Sequence, residues 1–333
     1  MFDVTVIGAG VVGALIARRL AAYDLSICIL DKENDVARGA TAANSAIVHA
    51  GFDAKEGSLK AKMNVRGSQM MAELCAELGV SYKRNGSLVV AFENERAEVE
   101  AIYRRGIANG VEGLRILEKD ELFEMEPNLN PELSCALYAP TGAIVCPYGL
   151  TIAAVGNAMD NGVELKRNFA ISDIAKIGEG FVVSAADGRK VQGTYLINCA
   201  GSFADDLAAM VGDKFYQIIP RAGEYMLLDK AEGTRVSRTI FQTPGKEGKG
   251  ILVTPTNHGN LLTGPTATEV EHGESTETTG SQLAYVQRMG AKSVPGVNFR
   301  QVITSFTGVR ASTEGGDFII QMSDKVNGFV HVA

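Results

Sequence analysis

Val4-Thr5-Val6-Ile7 runs straight into Gly8-Ala9-Gly10-Val11-Val12-Gly13, and this stretch decides the fold. The apolar run alternates poorly, which predicts a short, fully buried strand of the kind found in parallel sheets. The three glycines follow with G-x-G-x-x-G spacing. Gly8 permits a tight turn, Gly10 lets backbone approach a pyrophosphate, and Gly13 lets a helix pack closely on the strand. Val11 to Ala22 has a helical pattern, whose start offers free N–H groups and a positive dipole end to phosphates. Leu25 to Leu30 reads as a second buried strand. Asp31 follows it, about twenty residues past the glycines, where a carboxylate accepts hydrogen bonds from a ribose 2′-OH. The same carboxylate would repel a 2′-phosphate, which disfavours NADP. NAD and FAD stay open on this motif alone.

The 333 residues are 46% hydrophobic and 21% charged, and a chain of this length suggests two domains. A net charge of −7 leaves no electrostatic footprint for nucleic acid. No uncharged apolar run approaches the ~18 residues that would span a bilayer. Val4–Ile7 lacks the basic flank of a signal peptide, so the expected compartment is the cytoplasm. Cys28, Cys75, Cys135, Cys146 and Cys199 are scattered, with no pair at C-x₂-C spacing, and read as small buried residues in a reducing compartment. The histidines show no metal-ligand spacing, and no metal is expected.

Further on, Leu59–Leu78, Glu93–Asn109, Pro147–Asn161 and Thr279–Ser293 read as helices, and Lys119–Asn130 as a short helix with a loop. Ser87–Phe92, Gly223–Leu228, Gly250–Pro255, Asn260–Gly264, Val302–Phe306 and Asp317–Gln321 read as strands. Val163–Asn198 looks like a β-meander turned at Gly178-Glu179-Gly180 and Asp187-Gly188, ending in a second parallel-type strand, Tyr195-Leu196-Ile197-Asn198. The expected fold class is α/β: a doubly wound, Rossmann-like dinucleotide-binding domain, read below as FAD-binding from a resemblance, interleaved with an antiparallel β-sheet substrate domain. Residues 1–80, 141–215 and 305–333 are assigned to the first, and 81–140 and 216–304 to the second, a cap.

The choice of FAD comes from Arg38-Gly39-Ala40-Thr41-Ala42-Ala43-Asn44-Ser45-Ala46-Ile47-Val48-His49-Ala50-Gly51. This segment resembles the G-T-S-x-x-N-S-x-x-x-H-x-G segment of the D-amino-acid-oxidase-like FAD-dependent oxidoreductases. Further resemblances follow in family order: Gly142-Ala143-Ile144-Val145-Cys146-Pro147-Tyr148, Tyr195 to Ala204, Arg221-Ala222-Gly223-Glu224-Tyr225, and Ser305-Phe306-Thr307-Gly308-Val309-Arg310. The last two resemble the branch of glycerol-3-phosphate dehydrogenases and L-2-hydroxyglutarate oxidases. The resemblance implies a cofactor site of Gly8, Gly10, Val11, Val12, Gly13, Asp31, Lys32, Thr41, Asn44, Ser45, Ile171, Ala200 and Gly201. In the family a glycine-rich closing segment begins just after a stretch like Gly328 to Ala333, so the expectation is a chain truncated before it. Several members carry an iron–sulfur module beyond that point.

Oxidising a carbinol to a ketone needs a hydride acceptor, a base for the hydroxyl proton and cations for an acidic substrate. The resemblance implies FAD as acceptor. Arg310 is the expected anion clamp, because a guanidinium grips carboxylate or phosphate in bidentate fashion; an ion pair is its plainer reading. Arg221 is a second cation candidate. His49 could act as base, touch the flavin or simply pack. His258, in Asn257-His258-Gly259-Asn260, reads as a solvated turn residue. Tyr225 and Glu224 read as either strand residues or substrate contacts, and nothing marks Cys199 as reactive. The expected activity is oxidation of a small acidic hydroxy compound, with sn-glycerol 3-phosphate first and L-2-hydroxyglutarate second. Electrons would pass to oxygen, a quinone, or an electron-accepting partner subunit or iron–sulfur module. An amine or amino-acid oxidase of the same fold is one rival reading. A flavin-binding or tRNA-modifying scaffold is another, and it would need a basic face.

Overall fold

The computed structural model describes residues 1–244 and 250–333. Strand Phe2–Ile7 lies at the middle of a parallel sheet, between Lys190–Asn198 and Ile27–Leu30. Glu164–Lys166 extends the sheet beyond Ile27–Leu30, and Phe329–Val332 extends it beyond Lys190–Asn198. Ile27, Cys28, Ile29 and Leu30 are at most 1% exposed, which is why this strand shows no polar alternation. Helices Val11–Leu20 and Pro147–Asp160 cover one face through Ala14, Ala17, Ala154 and Ala158, small residues that let them approach each other and the sheet closely. The other face is closed by the hairpin Ile171–Ile177/Gly180–Ala185 and helix Ala204–Met210, which bring Phe181, Val183 and Leu207 against Cys28 and Leu30.

Among the described residues a second sheet has nine strands, drawn from the segments expected to form the cap and from Val302–Arg310. Arg221–Leu228 pairs antiparallel with Val302–Arg310 on one side and with Leu261–Gly264 and Thr268–Glu269 on the other. Thr239–Gln242 pairs in parallel with Ser87–Phe92, joining the later strands to Leu133–Ala139 and Arg115–Glu118. One face holds Leu88, Leu133, Leu228 and Val253, and the other holds Val89, Leu137 and helix Arg96–Ala108. A small sheet of Ile47–Val48, Ala143–Val145 and Tyr82–Lys83 ties the two units together under helix Leu59–Glu77.

Several elements differ from expectation. The strand expected over Val302–Phe306 runs on to Arg310, because Thr307–Arg310 stay paired with Arg221–Glu224. Residues 305–310, expected with the cofactor-binding unit, therefore hydrogen-bond in the cap sheet. The helix expected from Glu93 starts at Arg96, after a turn in which the Glu95 carboxylate accepts the Phe92 N–H at 3.2 Å. The strand expected at Asp317–Gln321 is Ile320–Met322, since Asp317 instead accepts the Leu59 and Lys60 N–H groups at the start of helix Leu59–Glu77. Leu133–Ala139, a central cap strand, has no counterpart in the sequence reading. Among the described residues no helix is long and apolar enough to cross a membrane, and no group of His, Cys, Asp or Glu could hold a metal.

Candidate functional site

The glycine loop sits at the carboxyl end of strand Phe2–Ile7, where open α/β sheets bind ligands. Gly8 has φ +105°, and a Cβ there would lie 2.5 Å from the Cys199 carbonyl oxygen. A Cβ on Gly13 would lie 2.0 Å from the Gly8 carbonyl oxygen, so helix and loop touch backbone to backbone. Gly10 is different. Its hypothetical Cβ would meet only the Thr41 hydroxyl, at 3.2 Å, so the residue lines a cradle that a side chain would fill. Thr41, 7% exposed, accepts the Val11 N–H at 3.1 Å. The first turn of helix Val11–Leu20 has further N–H groups without intrahelical acceptors, and Val12 stands 47% exposed beside them. These features fit an anionic pyrophosphate over the helix N-terminus.

Asp31 closes the same end. Its Oδ2 accepts the Ala9 N–H at 2.6 Å and its Oδ1 the Glu33 N–H at 2.9 Å. Burial pushes its carboxyl above the usual carboxylate range, against the pull of these two donors. Each oxygen keeps a further lone pair for a ribose hydroxyl. Lys32 forms an ion pair with Glu274, and its Nζ lies 4.5 Å from the centre of the Phe203 ring. The Asn198 side chain fixes the Cys199–Gly201 turn, where its Oδ1 accepts the Ala200 N–H at 3.2 Å and Gly201 takes φ +58°. Burial drives the Cys199 thiol up to about 12, so it is no thiolate. Ile171 begins its strand two residues after Phe169, whose N–H donates to the Asp31 carbonyl at 2.8 Å.

The 38–51 segment shapes itself. Asn44 Nδ2 donates to the Ala40 and Thr41 carbonyls at 3.1 and 3.0 Å, and its Oδ1 accepts the Ala46 N–H at 2.7 Å. Both ends of the Asn44 amide are thus engaged within its own loop, and Ala46 takes φ +59°. The Ser45 and Tyr225 hydroxyls share a hydrogen bond of 3.1 Å, joining loop to cap sheet. His49 is exposed, its ring centroid 5.9 Å from that of Phe241.

The cap sheet brings three cross-strand pairs to this loop: Arg221 opposite Arg310, Gly223 opposite Gly308, and Tyr225 opposite Phe306. Strand alternation puts all six on one face. Tyr225 and Phe306 stack with centroids 4.9 Å apart. Burial raises the Tyr225 phenol pKa, with the Ser45 hydrogen bond and the Arg310 charge pulling the other way. A Cβ on Gly308 would come within 1.9 Å of the Ala43 carbonyl oxygen, so only glycine allows this contact between strand and loop. Glu224 points to the opposite face, where its carboxylate accepts the N–H of Thr279, the N-cap of helix Gly280–Ser293, at 2.7 Å. It anchors that N-cap residue and faces away from the site. His258 sits exposed in a turn closed by Gly259 N–H to the Thr256 carbonyl. The Ser45–Tyr225 bond, the Lys32–Glu274 pair and the Phe241 ring were not anticipated; Ser45 and Tyr225 lie in quoted motifs and Lys32 in the implied cofactor site, while Glu274 and Phe241 carried no motif signal. Two cavities, one of about 460 Å³ beside Arg104 and Arg105 and one of about 220 Å³ beside Ala50, are lined by neither the glycine loop nor Arg221 or Arg310.

The profile of the family described as FAD dependent oxidoreductase matches residues 3–333. The chain belongs to this family. Its cofactor is FAD, and the Gly10 cradle with the open helix N-terminus fits that group. The chain is 45% identical over 335 residues to the glycerol 3-phosphate dehydrogenase of Caloramator mitchellensis, covering 100% of itself and 69% of that protein. It is 31% identical over 283 residues to the mitochondrial L-2-hydroxyglutarate dehydrogenase of Bos taurus, covering 80% of itself and 61% of that protein. Among solved structures, dithionite-reduced L-alpha-glycerophosphate oxidase from Mycoplasma pneumoniae with FAD bound matches at TM-score 0.94 and 28% identity, over 99% of this chain and 88% of that one. This FAD-dependent oxidoreductase therefore has the mixed α/β architecture of that enzyme.

Proposed function

We propose that the protein oxidises the secondary hydroxyl of sn-glycerol 3-phosphate to a ketone. The observation that carries this reading is Arg310. It ends the strand whose Gly308 presses on the Ala43 carbonyl of the cofactor loop, and among the described residues no carboxylate lies within ion-pair distance of it. A guanidinium left without a partner beside a cofactor loop suits an anionic substrate group. Names of similar proteins support the choice of glycerol 3-phosphate over L-2-hydroxyglutarate by the higher identity, 45% against 31%.

When bound, FAD supplies the two-electron acceptor for the carbinol hydrogen. The chain's own residues do the rest. Gly8, Gly10, Val11, Val12 and Gly13 hold the pyrophosphate, and Asp31 accepts from the ribose. Lys32, Thr41, Asn44, Ser45, Ile171, Ala200 and Gly201 complete the cofactor site, Asn44 through the loop shape it maintains. Arg310 holds the substrate anion, and an imidazole nitrogen of His49 takes the hydroxyl proton. The cofactor-holding unit is residues 1–80, 141–215 and the segment after Arg310, with 81–140 and 216–310 as the cap, a division supported by sheet pairing. Two-electron oxidation needs a terminal acceptor, which we assign to oxygen, a quinone, or an electron-accepting partner subunit or iron–sulfur module. The five unpaired cysteines support a cytoplasmic location.

The test is product formation. FAD-loaded protein with a dye acceptor should convert sn-glycerol 3-phosphate to dihydroxyacetone phosphate and leave L-2-hydroxyglutarate, glycine and proline unreacted. Turnover of L-2-hydroxyglutarate or an amine in place of the phosphate ester would reject this substrate assignment.

A further inference from the structure

We propose that Arg221 and Arg310 together form a two-guanidinium clamp that selects a dianionic phosphate monoester over a monocarboxylate. The inference rests on the proposed function and adds Arg221 as a specificity residue for it. The two arginines are direct register partners across antiparallel strands, so their side chains leave the same face side by side. Like charges placed opposite one another destabilise a sheet, and such a pair needs a counter-charge. Both residues are exposed, and among the described residues neither has a carboxylate within ion-pair distance. Glu269 is the register neighbour of Arg221 on its other side. One carboxylate beside two guanidiniums still leaves a net positive charge.

Position makes the pair more than a surface feature. Two residues along from it, Gly308 abuts the Ala43 carbonyl, and two residues further the Tyr225 hydroxyl bonds Ser45. The arginine pair therefore stands about 7 Å, two strand residues, from the contact with the cofactor loop. The opposite face of these strands is buried under the segment leading into helix Gly280–Ser293, through Glu224 to Thr279 and through Thr307 Oγ1 to the Glu277 carbonyl. On the charged face Gly223, Tyr225 and Gly308 are buried against neighbouring segments, and the two arginines stand exposed at its end.

Anion geometry then separates substrates. One guanidinium fork satisfies the two oxygens of a carboxylate. A phosphate monoester has three terminal oxygens and a charge near −2 above its second pKa of about 6. It can engage both forks at once. Arg221 should thus matter for phosphate and hardly at all for a monocarboxylate that Arg310 holds alone.

The test uses FAD-loaded protein, with Arg221→Gln and Arg221→Lys variants checked for an unchanged flavin spectrum and melting temperature. In Arg221→Gln, the KM for sn-glycerol 3-phosphate and the inhibition constant of inorganic phosphate should both rise about 10-fold or more, as expected for a lost charged hydrogen-bond pair. The inhibition constant of acetate should move less than about 2-fold, since Arg310 remains. Arg221→Lys should fall between, keeping charge without the fork. Phosphate inhibition unchanged in Arg221→Gln, or acetate and phosphate weakened alike, would overturn the clamp. If the unaltered protein does not turn over sn-glycerol 3-phosphate, the proposed function fails first. The clamp is then read from phosphate-induced change in the visible spectrum of bound flavin: present in the unaltered protein and lost in Arg221→Gln it stands, and absent in both it falls.

Discussion

The two ends of the site are built in opposite ways. At the glycine loop the chain works with backbone: N–H groups at a helix start, carbonyls in contact, and positions where a side chain would collide. At the cap strands it works with side chains carried on a regular ladder, where Arg221, Tyr225, Phe306 and Arg310 take their places from register alone. The first arrangement suits a cofactor held in one orientation by its phosphates. The second suits a substrate grip that can be retuned residue by residue without disturbing the sheet.

The contrast breaks most sharply at Gly13. Gly13→Ala places a Cβ 2.0 Å from the Gly8 carbonyl oxygen, and backbone cannot yield as a flexible side chain can. We expect loss of bound FAD and destabilisation by about 1–3 kcal/mol or more, read by flavin content and thermal melting. Gly10→Ala meets only a hydroxyl at 3.2 Å and should fold normally while binding FAD more weakly. Equal damage from both would erase the distinction between packing glycine and cradle glycine.

Arg310→Gln should act on the other end alone. The flavin spectrum and melting temperature should stay unchanged while kcat/KM falls about 100-fold, the scale of a charged, bidentate contact. Loss of flavin along with activity would mean that the strand end supports the cofactor instead.

Asp31 sharpens the comparison through pH. Burial raises its pKa, so in the protein without cofactor the carboxyl takes up a proton above the ordinary value near 3.9. Ribose hydroxyls donate to the ionised form, so FAD affinity should weaken as pH falls through that raised pKa and hold steady above it. Asp31→Asn should bind FAD more weakly at neutral pH and lose this acid-side decline; fluorescence titration of FAD across pH checks both. A decline that persists in Asp31→Asn would assign the titration to another group.

The smallest effect is expected at the junction of the two ends. Ser45→Ala and Tyr225→Phe each remove the 3.1 Å hydrogen bond and should cost about 0.5–1.5 kcal/mol, with the double variant no worse than the more damaging single. Additive losses in thermal melting would show that the hydroxyls do not depend on each other.

The same contrast explains what could be read from sequence. Gly8, Gly10, Gly13 and Asp31 lie close together in a strand–turn–helix–strand unit, and their backbone requirements leave a fixed spacing in the chain. Strand Val302–Arg310 extends past Phe306 through Gly308, a residue that strand interiors disfavour and that the contact with Ala43 requires here. Asn44 stands out in sequence as part of the loop motif, whereas the closure of its own loop by its amide, around the positive φ of Ala46, shows only in three dimensions. Glu224 and Tyr225, adjacent in sequence, point to opposite faces, and only the pairing partners reveal which one faces the site. Leu133–Ala139 is hard to read in sequence because a strand buried in the second sheet carries no clear polar–apolar alternation.

The most direct test of the account is the visible spectrum of FAD-loaded protein, mixed anaerobically with sn-glycerol 3-phosphate. The flavin band should bleach in the unaltered protein, bleach far more slowly in Arg310→Gln, and persist when glycerol replaces the phosphate ester. A band that survives sn-glycerol 3-phosphate, or one bleached equally well by glycerol, would contradict an oxidation that depends on an anion held by the cap strands.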